Sequence, residues 1–367
     1  MMSSSWLIRV VLVPSAVFLS ALFGGAYGSG REVAEFISRH GPVGGLVAIV
    51  VVALTYAICM FLVYELARVV REFEVRGFAT QLLGKARFLY EALLTVGLLL
   101  ALAICAAAGG AIANNYFDLP TLMGGAGVLG IIVVLTYFGR AVVEKSMIAS
   151  VAALGLLLVY LAYVAVTRHG HDIALAFEPA TFNIDGLGTG LKYALTSCGF
   201  LTLLLYSVRD LKSRSETAVA SVAAAVVGVI PAIAFHVIFM MSYPEILDET
   251  LPAYTLFETI MPAAFLDVYV FVVFVLVALT GVALLQGVVE SLDKLAQDKF
   301  DKAIGRAGHA AVSGGAMILA FIFSSIGIVD LIIGVFGFLS IAFFVVFFVP
   351  LFTRGVWLIW RSEAVSQ

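Results

Sequence analysis

The chain has 367 residues, 62% of them hydrophobic and only 12% charged, with a formal net charge of −3. That balance excludes a soluble globular domain, which needs far more charge to cover its surface, and the mean hydropathy of +1.11 agrees. No basic stripe lies outside the loops, so a nucleic-acid partner is excluded as well.

The apolar residues fall in blocks of about 20–30, long enough to cross a hydrocarbon core of roughly 30 Å as helix and unlike the short alternating segments of a membrane barrel. Ten spans are predicted, over residues 7–37, 43–70, 88–116, 119–139, 143–166, 186–207, 218–243, 263–290, 311–328 and 329–360. The opening stretch reads as the first span and not as a cleaved leader, because a charged helix end follows it. Residues 72–85 carry Phe73, Phe78, Leu82 and Leu83 among polar residues, the pattern of an amphipathic helix on the membrane surface. Residues 103–111 of the third span are nearly all small and leave room for either a ligand or a neighbouring helix, with close helix packing the preferred reading. Residues 242–262, bounded by Pro244 and Pro262 and interrupted by Pro252, predict two short helices folded as a lid. Between the last two spans only residues 327–330 are available, so a tight turn is required. With the N-terminus inside, 17 of the 21 Lys and Arg fall on the cytoplasmic side; Arg31, Arg39 and Arg168 fall outside and Lys192 within a span. That asymmetry predicts a multi-pass protein of the cell membrane with both termini cytoplasmic.

Cys59, Cys105 and Cys198 lie inside apolar blocks without metal-ligand spacing and read as packing residues, as does His236. No phosphate-binding loop, arginine ladder or catalytic HExxH or GxSxG run occurs, which argues against ATP drive, a voltage sensor and an enzyme.

The first span is the informative one. It is 31 residues long, roughly 46 Å as continuous helix, more than the core needs. Past its middle stand Gly24, Gly25, Gly28 and Gly30, followed at once by Arg31, Glu32 and Glu35. Glycine tolerates non-helical backbone, and a break at membrane depth survives only inside protein or beside a watery cavity. Such a break offers carbonyls to a cation and half-helix N–H groups to an anion. A second break is expected in the sixth span at Thr196, Ser197, Cys198 and Gly199, about 180 residues on, as two inverted halves require. The halves divide as residues 1–166 and 186–361, joined by an outer connection at 167–185 and followed by a tail at 362–367. The predicted fold class is an all-α membrane protein of about ten spans, with the first and sixth discontinuous. Gly24, Gly25, Tyr27, Gly28, Ser29 and Gly30, with Thr196, Ser197 and Gly199, are the candidate substrate-binding residues.

The run Gly24–Glu32, GGAYGSGRE, resembles the G-x-G-[FY]-x-S-G-[QR]-E signature of the YkvI-type membrane proteins, amino acid permeases of the amino acid–polyamine–organocation superfamily; Ala26 departs from the pattern. The resemblance implies a LeuT-type fold of five-plus-five inverted repeats, with a substrate site between helices one, three, six and eight. It also implies an outer gate at Arg31, for which Asp330 and Asp267 are the candidate partners; the alternative is an exposed arginine paired with nearby Glu32 or Glu35. A sodium ion would sit between carbonyls of the first break and helix eight, where Thr280 and Val277 are the matching positions. In the competing account a proton is coupled instead, through Lys145 of helix five or Glu32. The function expected is ion-coupled secondary transport of a small solute, an amino acid or related zwitterionic amine, with no cofactor beyond a possible sodium ion. The alternative is a receptor that keeps the fold and binds without translocating.

Overall fold

A computed structural model describes residues 4–23, 25–136, 140–178, 183–300 and 304–366, without the side chains of 4, 25, 26, 140–145, 148, 298–300 and 362–366. Among the described residues every regular element is helical.

The first span is broken where its glycines predict. Helix α1 (Ser5–Leu22) stops, Gly25–Ser29 makes a single 3₁₀ turn, and α2 resumes over Arg31–Phe36. Gly30 joins turn to helix at φ +77, and a Cβ there would stand 2.7 Å from Cζ of Phe239. Both the dihedral and the close approach demand glycine. Helix α3 (Gly41–Val70) is the second span. Helix α4 (Val75–Leu83) is the expected amphipathic segment, with Phe78, Ala79 and Leu82 buried.

Helix α5 (Arg87–Phe117) and α6 (Thr121–Thr136) are the third and fourth spans. Gly109 and Gly110 of α5 meet Val128 and the Thr121 carbonyl of α6, and Gly125 of α6 meets the Ala106 carbonyl. This is small-residue helix contact of the expected kind. Helix α7 (Arg140–Phe177) runs on past residue 166 and bends at His169, so the first part of the expected outer connection is helix.

The sixth span is α8 (Gly186–Cys198), then a 3₁₀ helix over Leu201–Val208, bent by 59°. Helix α9 (Arg214–Phe239) follows; its first turn is capped by Ser213, whose Oγ accepts from the Glu216 N–H. The lid is a 3₁₀ turn at Glu245–Leu247 and helix α10 (Pro252–Ile260). Helices α11 (Ala263–Phe300) and α12 (Arg306–Ser324) complete the eighth and ninth spans. Gly327, at φ +96, makes the required tight turn, and α13 (Ile328–Arg361) is the tenth.

In the interior α1 packs on α9 and on the Leu201–Val208 piece, while α2 packs on α8. The two broken spans therefore lie side by side, half against half, with their breaks level. Helix α3 packs against α8 and α9, α5 packs against α6 and α11, and the first break touches both α5 and α11. With this many long apolar helices the chain is a multi-pass membrane protein.

Candidate transport site

Each break is held by a tyrosine from the opposite half of the chain. The Tyr269 hydroxyl of α11 donates to the Gly28 carbonyl at 3.1 Å. The Tyr90 hydroxyl of α5 donates to the Gly199 carbonyl at 2.9 Å and pairs with Thr202 Oγ1 at 2.8 Å. Neither tyrosine was marked by its sequence context.

The first break is packed, not hollow. Tyr27 is buried, edge-on to Phe23 and Phe235, and Gly28 faces Leu154 and Val273. The Gly30 N–H donates to the Tyr27 carbonyl at 2.9 Å, and the Arg31 N–H donates to Ser29 Oγ at 3.3 Å. These two donors are consumed locally, and α2 has only six residues. Gly24 lies outside the described residues. Gly25 opens the 3₁₀ turn.

At the sixth span, Thr196 Oγ1 donates to the Lys192 and Phe336 carbonyls at 3.0 and 3.2 Å. Ser197 Oγ donates to the Tyr193 carbonyl at 3.1 Å. The space beside Gly199 is filled by the Phe343 ring.

The outer gate differs from expectation. Arg31 is 3% exposed and its Nη2 reaches Glu35 Oε2 at 2.7 Å. Its Nη1 donates to the lid carbonyls of Leu247 and Glu249 at 2.6 and 2.9 Å. Glu35 is one turn along the same helix and also takes Arg39. Asp330 is exposed, and Asp267 instead accepts from the Tyr116 hydroxyl at 2.6 Å. Neither acid is the partner in this structure. Above the break, Phe36, Tyr193 and Phe336 stack, with Tyr193 and Phe336 parallel within 1° at 5.7 Å. The lid reaches the break a second way, through Phe257 stacked on Tyr269 at 4.3 Å. The Tyr254 hydroxyl of the lid donates to the Asn115 carbonyl at 3.0 Å; burial there raises its pKa, with Glu258 adding to the shift.

On the predicted inner side, Arg9 grips Glu216 with two bonds, at 2.8 and 2.6 Å, and also donates to the Asp210 carbonyl. His236 is fully buried and satisfied, by Ser38 Oγ and the Pro42 carbonyl, both at 2.9 Å. The three cysteines are free and buried. Both findings match their reading as packing residues.

Glu32 lies one turn before Phe36 on the same side of α2, with Tyr193 of α8 nearby. On α11, Val277 is fully buried and Thr280 Oγ1 is buried without a hydrogen-bond partner. The Lys145 side chain lies outside the described residues. Among the described residues no group of three or more His, Cys, Asp or Glu can hold a metal ion. A cavity of about 260 Å³ opens on the predicted outer side, between Ala106, Ala107 and Ala111 of α5, Thr250 of the lid, and Ser324 and Ile328 beside the α12–α13 turn.

No family model matches the sequence, and no curated protein does. Solved structures do match. MhsT bound to L-phenylalanine is 18% identical with a TM-score of 0.61, over 96% of this chain and 87% of that one. A manganese transporter of Eremococcus coleocola is 12% identical with a TM-score of 0.58, over 96% and 80%. A Na+-coupled sialic acid symporter is 14% identical with a TM-score of 0.52, over 94% and 85%. Likeness at such identities speaks to fold alone, and with the two opposed breaks it establishes that the chain has the LeuT-type fold, an inverted repeat whose first and sixth spans are discontinuous.

Proposed function

We propose that the chain is a secondary transporter, which carries a small amine-bearing solute, an amino acid or related amine, across the cell membrane by alternating access. One observation carries this reading: two broken spans lie side by side with separate ties closing each face. Arg31 ties the first break to the lid, and Arg9 ties the other end of the span to Glu216. A solute held between the breaks reaches one side when one tie opens and the other side when the second does. The run Gly24–Glu32 and its likeness to the YkvI-type permeases support an amine substrate, as does the shared fold with MhsT bound to L-phenylalanine. The distribution of Lys and Arg supports cytoplasmic termini.

Sodium is the proposed coupling ion. A buried hydroxyl without a partner is costly, and Thr280 Oγ1 beside Val277 is such a group, free to join a cation's oxygen shell. The fold shared with a Na+-coupled symporter is consistent with this. Uptake of a labelled amino acid and amine panel into proteoliposomes tests the proposal. Accumulation should follow an inward sodium gradient, and Thr280→Val should raise the sodium needed for half-maximal uptake. Uptake that ignores sodium and follows a pH gradient would replace the ion. Binding without uptake would make the protein a receptor.

A further inference from the structure

Glu32 is 9% exposed, and among the described residues no Lys, Arg or His forms an ion pair with it. Its sequence neighbour Arg31 points the other way, to Glu35 and the lid. Near the carboxyl stand groups from three other elements, Tyr193 of α8, Tyr27 of the break and Cys105 of α5. All are uncharged hydroxyl or thiol groups. Behind Tyr193 stands the buried Tyr56 of α3. The rings of Phe36, Tyr193 and Phe336 stack on the outer side of this cluster.

A carboxylate buried without a counter-charge is expensive, and inside a membrane protein such a group marks a ligand or ion path. The arrangement supplies one carboxyl group, whose ionised form an incoming ammonium would stabilise, aromatic faces that attract cations and, among the described residues, no positive side chain for an anion. The Arg31 N–H is already bonded to Ser29 Oγ, and α2, with only six residues, is too short to build an anion site at its N-terminus. We propose that Glu32 recognises the ammonium group of the substrate, and that the site favours a net-positive organic amine over the corresponding zwitterionic amino acid.

This rests on the transport reading above and narrows its substrate class. The test is a charge series on the full chain in lipid nanodiscs, read by calorimetry. The probes are phenethylamine, phenylalanine and 3-phenylpropanoate, with butylamine and norvaline as a smaller pair. At least one amine should bind about tenfold or more tightly than its α-carboxylated counterpart, and 3-phenylpropanoate should bind weakest, as expected when a buried charge finds its only partner. Glu32→Gln, which keeps the shape, should erase that preference, and Glu32→Asp should retain part of it. Equal or tighter binding of the amino acids, a preference that survives Glu32→Gln, or no binding by either amine overturns the assignment; the wild-type series decides even if a variant fails to fold. Sodium-driven uptake of amino acids with no amine preference would retire Glu32 alone. Amine binding without uptake would retire transport and leave Glu32 in place.

Discussion

Replacing Gly199 with alanine separates two meanings of the second break. If this glycine borders an open substrate pocket, a methyl group lowers affinity and leaves stability alone. The structure predicts the reverse. A Cβ at Gly199 would lie within 2.5 Å of Phe343 Cε2 and closer still to other ring atoms. That ring has nowhere to go: it is fully buried, edge-on to Phe200 at 5.1 Å and to Tyr90 at 6.3 Å. Overpacking of this kind costs about 1–3 kcal/mol. The residue is in helical conformation, φ −59 and ψ −25, so alanine returns about 0.5–1 kcal/mol of backbone entropy. The net loss is about 1–2 kcal/mol, near a tenfold shift in the folded ratio. Thermal unfolding in detergent should show Gly199→Ala melting several degrees lower. Combined with Phe343→Leu, which clears the space, the pair should be more stable than the two single effects summed, by about 1 kcal/mol. A Gly199→Ala protein as stable as the parent, or strictly additive effects, would refute the packing account.

Arg31→Gln should loosen the lid. The loss is about 2–3 kcal/mol, below the ~3–5 of isolating a buried charge because Arg39 still faces Glu35. Hydrogen exchange of residues 245–256 should accelerate, while Asp330→Asn and Asp267→Asn leave it unchanged; an equal effect from either Asp variant would restore the long-range gate. Arg9→Glu should free the predicted inner end of α1, seen as faster labelling of a cysteine placed at Ser5. Adding Glu216→Arg should restore only part of the protection, because Glu216 also accepts from the Lys212 N–H at 2.7 Å and an arginine cannot. Full restoration would mean that this backbone bond contributes nothing.

The sequence was legible wherever backbone chemistry dictates the outcome. Gly24–Gly30 marked the first break because a helix cannot hold Gly30 at φ +77 with any larger residue. Residues 72–85 and the prolines at 244, 252 and 262 marked the surface helix and the lid, and residues 327–330 left room only for a turn. It was illegible where side chains choose among distant partners. For Arg31 the sequence offers both a distant acid, Asp330 or Asp267, and a near one, Glu32 or Glu35, and only the assembled structure selects Glu35. Nothing distinguishes Tyr90 and Tyr269 among the 13 tyrosines, since reaching a break carbonyl depends on how the helices assemble. The aromatic stack had a weak signal: Phe36 lies one turn beyond Glu32, and Tyr193 one turn before Ser197.

The exchange of tyrosines between halves bears on how the chain is made. Gly28 leaves the ribosome 241 residues before the hydroxyl that satisfies its carbonyl. A carbonyl without a partner is poorly tolerated in hydrocarbon, so the first five spans, inserted alone, lack the bond that secures their own break. The second half depends in turn on Tyr90, already in place, for the Gly199 carbonyl. Neither repeat is therefore a finished unit. A split protein expressed as residues 1–166 and 167–367 should hold its kinked spans only when both pieces share a membrane.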